Sequence, residues 1–316
     1  MFRFIFPQDK QISKEVFNLA LPVIVSNLSR VLMSMVDVAM VGRLGAEALA
    51  ATGMGAMLFW GALSFVLGIR TGVQTLVSRR LGQKIDKECG TALHNGLFMA
   101  TIYALPISLA GWLWAKDIIP FFIQAITATR LAIDYTAIVF ISLLFSAYSF
   151  VFQGFFTGVE KTKVHMNVTV TSNAINVYLN AGLIYGSDGV TQFFADTIPS
   201  LSFLSKLWQW TTFPAMGVKG AAIATLVAST WMAVHYFSFL FSSQIKDRFS
   251  VFNLSTDRPM MMRQLKLALP QGVQETVIAV GWSVFYKIMG MIGLIELATT
   301  ELLFTIMHAS FMPAMA

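Results

Sequence analysis

Asp37 is the residue best placed to do chemistry, because it is a carboxylate inside a long apolar run. The run begins near residue 16, and Asp37 lies about 22 residues into it. An ionisable side chain at membrane depth costs about 2.5–3.5 kcal/mol on insertion scales, so such a residue normally faces a cavity and has a function. Protonation and the binding of another cation would then compete for one group. The alternative is a structural ion pair with Arg30, seven residues earlier on the same helix face.

Two amides could share a site with this carboxylate. Asn176 and Asn180 are four residues apart, so both side chains lie on one face of a helix. Amide oxygens are neutral ligands that suit an alkali cation, and amide N–H groups can bond a carboxylate. The alternative is interhelical packing, where such bonds are worth about 0.6–2 kcal/mol in membranes. Thr225 offers a hydroxyl, but a threonine in a span often bonds back to its own helix.

Other candidates depend on fewer observations. Glu275 follows Pro270 by five residues and either lines a transport route or lies in water near the cytoplasmic side. Trp60 and Tyr148 are aromatic candidates for substrate contact, because aromatic faces attract organic cations; packing is the alternative for both. Pro22, one turn or so into the first apolar run, removes a backbone hydrogen bond and permits bending, unless it is only a tolerated proline near a helix start.

The composition indicates an all-α integral membrane protein. Hydrophobic residues make up 56% of the chain and charged residues 12%, with a mean hydropathy of +0.68, whereas soluble domains average about 25% charged residues. The single cysteine, Cys89, rules out an internal disulfide, and the histidines have no metal-ligand spacing. We therefore expect no enzyme, no cofactor and no metal beyond a possible Na⁺ at Asp37. The net charge of +6 suggests biased membrane loops rather than binding to nucleic acid.

A helix needs roughly 20 apolar residues to cross the hydrocarbon layer. Seven complete runs qualify: 16–41, 52–77, 91–114, 131–157, 164–186, 217–241 and 266–292. An eighth run begins near residue 297. With the N-terminus in the cytoplasm, 14 Lys and Arg residues fall inside and 5 fall outside, which favours that orientation. The aromatic-rich stretch 187–213 is either an amphipathic interfacial segment or a partly ordered loop.

The chain repeats itself after 248 residues. Leu19–Pro22 matches Leu267–Pro270, and Gly42 and Gly45 match Gly290 and Gly293. Repeats of this kind are typical of transporters, and the span count makes the halves parallel. We predict a six-helix lobe over 1–245, a cytoplasmic linker over 246–265, and the start of a second lobe over 266–316. The chain is therefore expected to be truncated or part of a longer transporter, with the remaining helices supplied by that longer chain or by a second one.

The sequence resembles the multidrug and toxic compound extrusion (MATE) family. The resemblance rests on Leu21–Pro22, Val36–Gly45, Asn176–Asn180 and Pro214–Thr225, which occur in this order at these span positions. Two departures stand out. The turn at Thr157–Met166 lacks the second Gly, the Asp and the Pro of the family pattern, and residues 187–213 look like an insertion.

The resemblance implies an antiporter of the inner membrane that exports small, often aromatic organic cations against inward flow of H⁺ or Na⁺. It implies a cation site built from Asp37, Asn176, Asn180, the carbonyl of Ala221 and Thr225. It also implies that bending at Pro22 responds to protonation of Asp37, and that Glu275 replaces a family acid one turn further on.

Two other functions stay open from the sequence. One is a flippase for lipid-linked oligosaccharides of the same superfamily, which would need cationic residues lining its cavity. Only Arg30, Arg70 and Lys287 lie within the predicted spans, and we expect Lys287 to extend toward the membrane interface. The other is a non-transporting fragment or a regulatory membrane subunit. Membrane lipid is an expected partner in each case.

Overall fold

Long helices joined by short turns make up residues 10–123, 125–197 and 199–311, which are the residues described by a computed structural model of the chain. No strand occurs among these residues, so the all-α prediction is confirmed. The helices are α1 (Lys10–Gly42), α2 (Ala46–Gly82), α3 (Glu88–Phe122), α4 (Ile126–Ile141), α5 (Leu143–Gly158), α6 (Thr162–Thr197), a 3₁₀ helix (Pro199–Trp208), α7 (Val218–Phe239), α8 (Ser243–Phe249), α9 (Arg258–Ile292) and α10 (Leu294–Phe311).

Among the described residues, five helices are long and apolar enough to cross a membrane, or six if α4 and α5 form one bent span. The predicted fourth span, 131–157, is therefore not one continuous helix. Its two halves meet at 44°. At the break, both the backbone N–H and the hydroxyl of Ser142 bond the carbonyl of Val139, at 2.9 and 2.6 Å. This tight local bonding competes with the regular helical ladder.

The predicted fifth span, 164–186, lies in α6. This helix is not one of the five that are long and apolar enough to cross a membrane. Its inward face is rich in buried polar residues, among them Ser172, Asn173, Asn176 and Asn180. Gly186 adopts a φ of +75° and breaks the helix at the predicted end of the span. A side chain is strained in that conformation, so a glycine suits the break.

Residues 187–213 pack on the second half of α6, and most of the described ones are helical. Trp208 Nε1 donates to the Tyr178 carbonyl at 2.7 Å, and the two rings stack with centroids 5.1 Å apart. Trp210 is 91% exposed, whereas Trp208 is buried. The helical segment fits the prediction of an amphipathic segment better than that of a partly ordered loop. Its location at a membrane interface stays a prediction.

The 248-residue repeat is visible in the helix boundaries. Helix α2 begins at Ala46 and α10 at Leu294, and α9 begins at Arg258, while α1 is already formed at Lys10, the first described residue. Pro22 and Pro270 consequently lie about three turns inside their helices. The position of Pro22 about one turn or so into the apolar run is confirmed. The alternative of a tolerated proline near a helix start is wrong, because α1 is formed before the apolar run begins.

The predicted linker, 246–265, is folded rather than loose, and α9 begins within it at Arg258. His94 Nε2 lies 2.7 Å from the Val251 carbonyl oxygen. The Asn95 side chain bonds both the carbonyl and the N–H of Asp257, at 3.1 and 3.2 Å. These bonds attach the segment to the beginning of α3.

Helix α2 lies at the centre of the bundle, where it packs against α3, α4, α5, α9 and α10. Its contact with α9 is close because glycines face the partner helix. A Cβ atom on Gly68 would lie 2.3 Å from the Ala268 carbonyl oxygen, and one on Gly72 would lie 2.8 Å from that of Gln264. Small residues permit such close approach between helices in membranes.

Candidate cation site

Asp37 and the two predicted amides meet where α1 packs against α6. Asn180 Nδ2 donates to Asp37 Oδ1 at 2.6 Å and to Asn176 Oδ1 at 2.8 Å. The four-residue spacing places both amides on the face of α6 that meets α1. Asn180 therefore uses both of its amide hydrogens to join the carboxylate to the second amide.

The two amides are buried and incompletely bonded. Asn176 is 0% exposed and Asn180 is 2% exposed. Among the described residues, neither Asn180 Oδ1 nor Asn176 Nδ2 has a hydrogen-bond partner. Buried polar atoms without a partner are rare, and each calls for an explanation such as a bound ion or water. A free amide oxygen beside a carboxylate is the donor set that a hard cation takes.

Ala221 and Thr225 do not complete this site in the described contacts. Thr225 Oγ1 donates to the Ala221 carbonyl oxygen at 3.0 Å, which is the back-bonding alternative. The carbonyl that the resemblance assigned to a cation is thus engaged within α7. Ala221 packs instead in an apolar cluster with Val41 and Ile184, next to the part of α1 that carries Asp37.

The three remaining side-chain candidates lie elsewhere. Glu275 accepts a 2.8 Å hydrogen bond from Gln271 and lies within electrostatic range of Arg70, not beside Asp37. Tyr148 Oη is 2.9 Å from Thr101 Oγ1, so it joins α5 to α3 inside the bundle. Trp60 is 44% exposed on α2. None of these residues contacts the Asp37 group in the described part of the chain.

The alternative role for Asp37, a structural ion pair with Arg30, is not observed among the described residues. Within the described residues, no ion pair joins Asp37 to Arg30.

Pro22 lies on the same helix, where Ser26 Oγ donates to its carbonyl at 2.7 Å. Lys287, expected to extend toward the interface, instead bonds the Phe121 carbonyl at the end of α3 and lies over the Phe121 ring.

A second carboxylate, Glu301 on α10, was missed by the reasoning from sequence. Tyr286 Oη donates to Glu301 Oε2 at 2.7 Å. Tyr135 of α4 lies within electrostatic range of both Asp37 and Glu301. An acid inside the predicted eighth run was the available signal, and the 248-residue shift pairs it with Gly53 rather than with another acid.

An apolar cavity of about 340 Å³ lies along α1, on a face of the helix that does not include Asp37. Its walls come from α1, the first turns of α2, and α10, and are formed by Met35, Val38, Ala39, Gly42, Leu49, Leu302 and Ile306. The carboxylate and the partnerless amide oxygen therefore lie where α1 meets α6, and the apolar cavity lies on another side of α1, toward α10.

A family model described as MatE matches residues 22–181. The chain is also similar to the multidrug resistance protein NorM of Burkholderia vietnamiensis, with 23% identity over 304 residues, covering 94% of this chain and 59% of that one. A probable multidrug resistance protein NorM of Rhizobium meliloti is 26% identical over 300 residues, covering 93% and 58%. The chain thus spans about three fifths of the length of these curated relatives.

Solved structures share the fold. An inward-facing multidrug resistance MATE family transporter of the MOP superfamily superposes with a TM-score of 0.71 at 19% identity, covering 95% of this chain and 62% of that one. A MOP superfamily transporter from Pyrococcus furiosus gives 0.67 at 22% identity, covering 83% and 52%. At these identities the likeness concerns the fold alone.

Proposed function

This chain belongs to the MatE family, and on that premise we propose that it serves in the cation-coupled export of organic cations, with H⁺ or Na⁺ as the coupling ion. Members of this family are membrane transporters, and the apolar helices make this chain a multi-pass membrane protein. We further propose that it lies in the inner membrane with its N-terminus in the cytoplasm, as the distribution of Lys and Arg favours.

The observation that carries the proposal is the bond from Asn180 to Asp37 inside a membrane helix. A carboxylate there is costly unless it is protonated or has a cationic partner. Asp37 holds H⁺, or Na⁺ together with the free Asn180 Oδ1, in one state of the transport cycle. Arrival of an organic cation at Asp37 displaces that ion, because both cations compete for the same negative charge.

The substrate class follows from the surroundings of Asp37. Another face of the helix that carries Asp37 borders an apolar cavity, which favours a cation that carries a hydrophobic body. Glu301 supplies a second negative charge, and Tyr135 lies within electrostatic range of both carboxylates. The relatives that the chain resembles are named multidrug resistance proteins, in keeping with a cavity that selects for charge and apolar character.

Alternation of access requires the two repeats to move against each other around the site. The cavity and the Tyr135–Glu301 neighbourhood lie between α1, α2, α4 and α10, where elements of both repeats meet. Bending of α1 at Pro22 would change the depth and orientation of Asp37, since a proline weakens the ladder one turn before it.

Efflux of ethidium from cells expressing the gene that encodes this chain tests the proposal. Export should occur in the parent and should fall at least tenfold in Asp37→Asn, measured under imposed Na⁺ and pH gradients. Asp188→Asn is the matched control, because Asp188 is an exposed aspartate outside the site. Unchanged export by Asp37→Asn at equal expression would refute the assigned role of this carboxylate.

A further inference from the structure

Two arginines converge in the inner half of the bundle, away from Asp37. Arg30 of α1 and Arg70 of α2 lie within electrostatic range of each other. Both also lie within electrostatic range of His165 on α6 and Tyr236 on α7. Arg30, Arg70, His165 and Tyr236 together form the basic cluster. Four helices that are separate in the sequence therefore bring it together.

The neighbours of the two arginines are held in place. His165 and Tyr236 are each 1% exposed, and His165 Nδ1 lies 2.5 Å from Tyr236 Oη. The other ring nitrogen of His165 lies 3.0 Å from Gln153 Nε2. A Cβ atom on Gly154 would lie 2.6 Å from the Arg70 carbonyl oxygen and 3.3 Å from Arg70 Cγ, so α5 packs directly on the start of that side chain.

Among the described residues, no ion pair neutralises the two arginines of the basic cluster. The ion pairs found in the described residues involve other side chains. Glu275 is within electrostatic range of Arg70, but its described hydrogen bond is with Gln271. Arg70 Nε is buried and has no partner among the described residues. Two like charges held together at membrane depth are unfavourable unless an anion joins them.

We propose that Arg30 and Arg70 form a binding site for an oxyanion, the carboxylate or phosphate of an amphiphilic ligand. Guanidinium groups bind these planar or multi-oxygen anions through paired N–H donors. The location within the membrane favours a ligand with an apolar body. Arg30 precedes Asp37 by seven residues, which corresponds to about 10 Å along one face of α1. The site is thus separate from the cation site and does not depend on the proposed antiport.

Binding of dodecyl phosphate and of decanoate to the purified protein in phosphatidylcholine nanodiscs tests the proposal. We expect the affinity for both probes to fall at least tenfold in Arg30→Gln and in Arg70→Gln. Arg79→Gln is the matched control on α2, because Arg79 is exposed and lies outside the basic cluster. It should bind within twofold of the parent, as should Asp37→Asn, which separates this result from any failure of the antiport proposal.

Variants that keep the positive charge are controls for misfolding of the Gln variants. Arg30→Lys and Arg70→Lys should bind with affinities between those of the parent and the Gln variants, because lysine keeps the positive charge but not the paired N–H donors. Parent-like binding by both Gln variants, or an equal loss in Arg79→Gln, would overturn the proposal, as would a loss in the Lys variants equal to that in the Gln variants. Displacement of dodecyl phosphate by added phosphatidylglycerol would identify a lipid headgroup as the source of the oxyanion, and the absence of displacement would identify a free organic acid.

Discussion

Gly53 on α2 and Glu301 on α10 occupy equivalent positions in the two repeats, 248 residues apart, and lie against each other. A Cβ atom on Gly53 would lie 2.6 Å from Glu301 Oε2. One repeat thus supplies a carboxylate and the other supplies the space for it. The pair marks the junction at which the Asp37 region of the first repeat meets the second repeat.

Loss of the Glu301 charge should weaken substrate binding. We expect Glu301→Gln to raise the KM for ethidium efflux about tenfold, which corresponds to about 1.4 kcal/mol, because one of two negative charges near the cavity is removed. Glu296→Gln on the same helix is the control, since Glu296 is exposed. Equal KM values for the two variants would remove Glu301 from the proposed site.

The glycine contact between α2 and α9 should be important for stability. In Gly68→Ala the new methyl group would meet the Ala268 carbonyl oxygen and the Gly272 nitrogen, at 2.3 and 2.8 Å. Separating the two helices to accommodate it should cost about 1–3 kcal/mol, seen as a lower thermal unfolding midpoint in detergent. Gly281→Ala is the control, because nothing lies within 4 Å of its new Cβ atom. A Gly68→Ala variant as stable as this control would contradict the close packing.

The cation site was predictable from sequence in part. Asp37 was identified because a carboxylate in an apolar run is rare, and the spacing of Asn176 and Asn180 fixed which face they share. The bond between α1 and α6 confirms that the three residues lie together, while their role stays a proposal. Thr225 was ambiguous because a hydroxyl in a helix can always bond its own backbone. In the structure Thr225 Oγ1 does so, by donating to the Ala221 carbonyl oxygen.

What the sequence did not predict depends on contacts between distant segments. The bend at Ser142 arises from one local hydrogen-bonding choice in a run that is apolar throughout. The start of α9 at Arg258 precedes the apolar run, since helices extend beyond the hydrophobic core of a span. Arg30 and Arg70 lie within electrostatic range of each other because the bundle places α1 and α2 together. No periodicity in either helix predicts this relationship.

The turn that departs from the family pattern should carry backbone strain. Glu160 has a φ of +61°, in the left-handed region that glycine tolerates. We therefore expect Glu160→Gly to raise stability by about 1 kcal/mol, measured as a higher thermal unfolding midpoint. Lys161→Gly next to it should give no gain, because Lys161 is not among the residues with positive φ. A lower midpoint for Glu160→Gly than for Lys161→Gly would show that the turn is not strained.

The proposed orientation can be tested with single cysteines. In a Cys89→Ala background, Lys206→Cys should react with a membrane-impermeant maleimide added to cells whose outer membrane has been permeabilised. Lys161→Cys should react only after the inner membrane has also been opened. Both lysines are exposed, so accessibility on the protein surface does not separate them. The reverse labelling pattern would place the N-terminus outside.

Ion displacement at Asp37 is the most direct test of the central claim. Tetraphenylphosphonium would be added to the purified protein in nanodiscs, and released ion would be measured as H⁺ in weak buffer or as preloaded ²²Na⁺. The account predicts release of about one ion per protein from the parent and from Asp188→Asn, because a single carboxylate is exchanged, and none from Asp37→Asn. Undiminished release from a folded Asp37→Asn protein would contradict it.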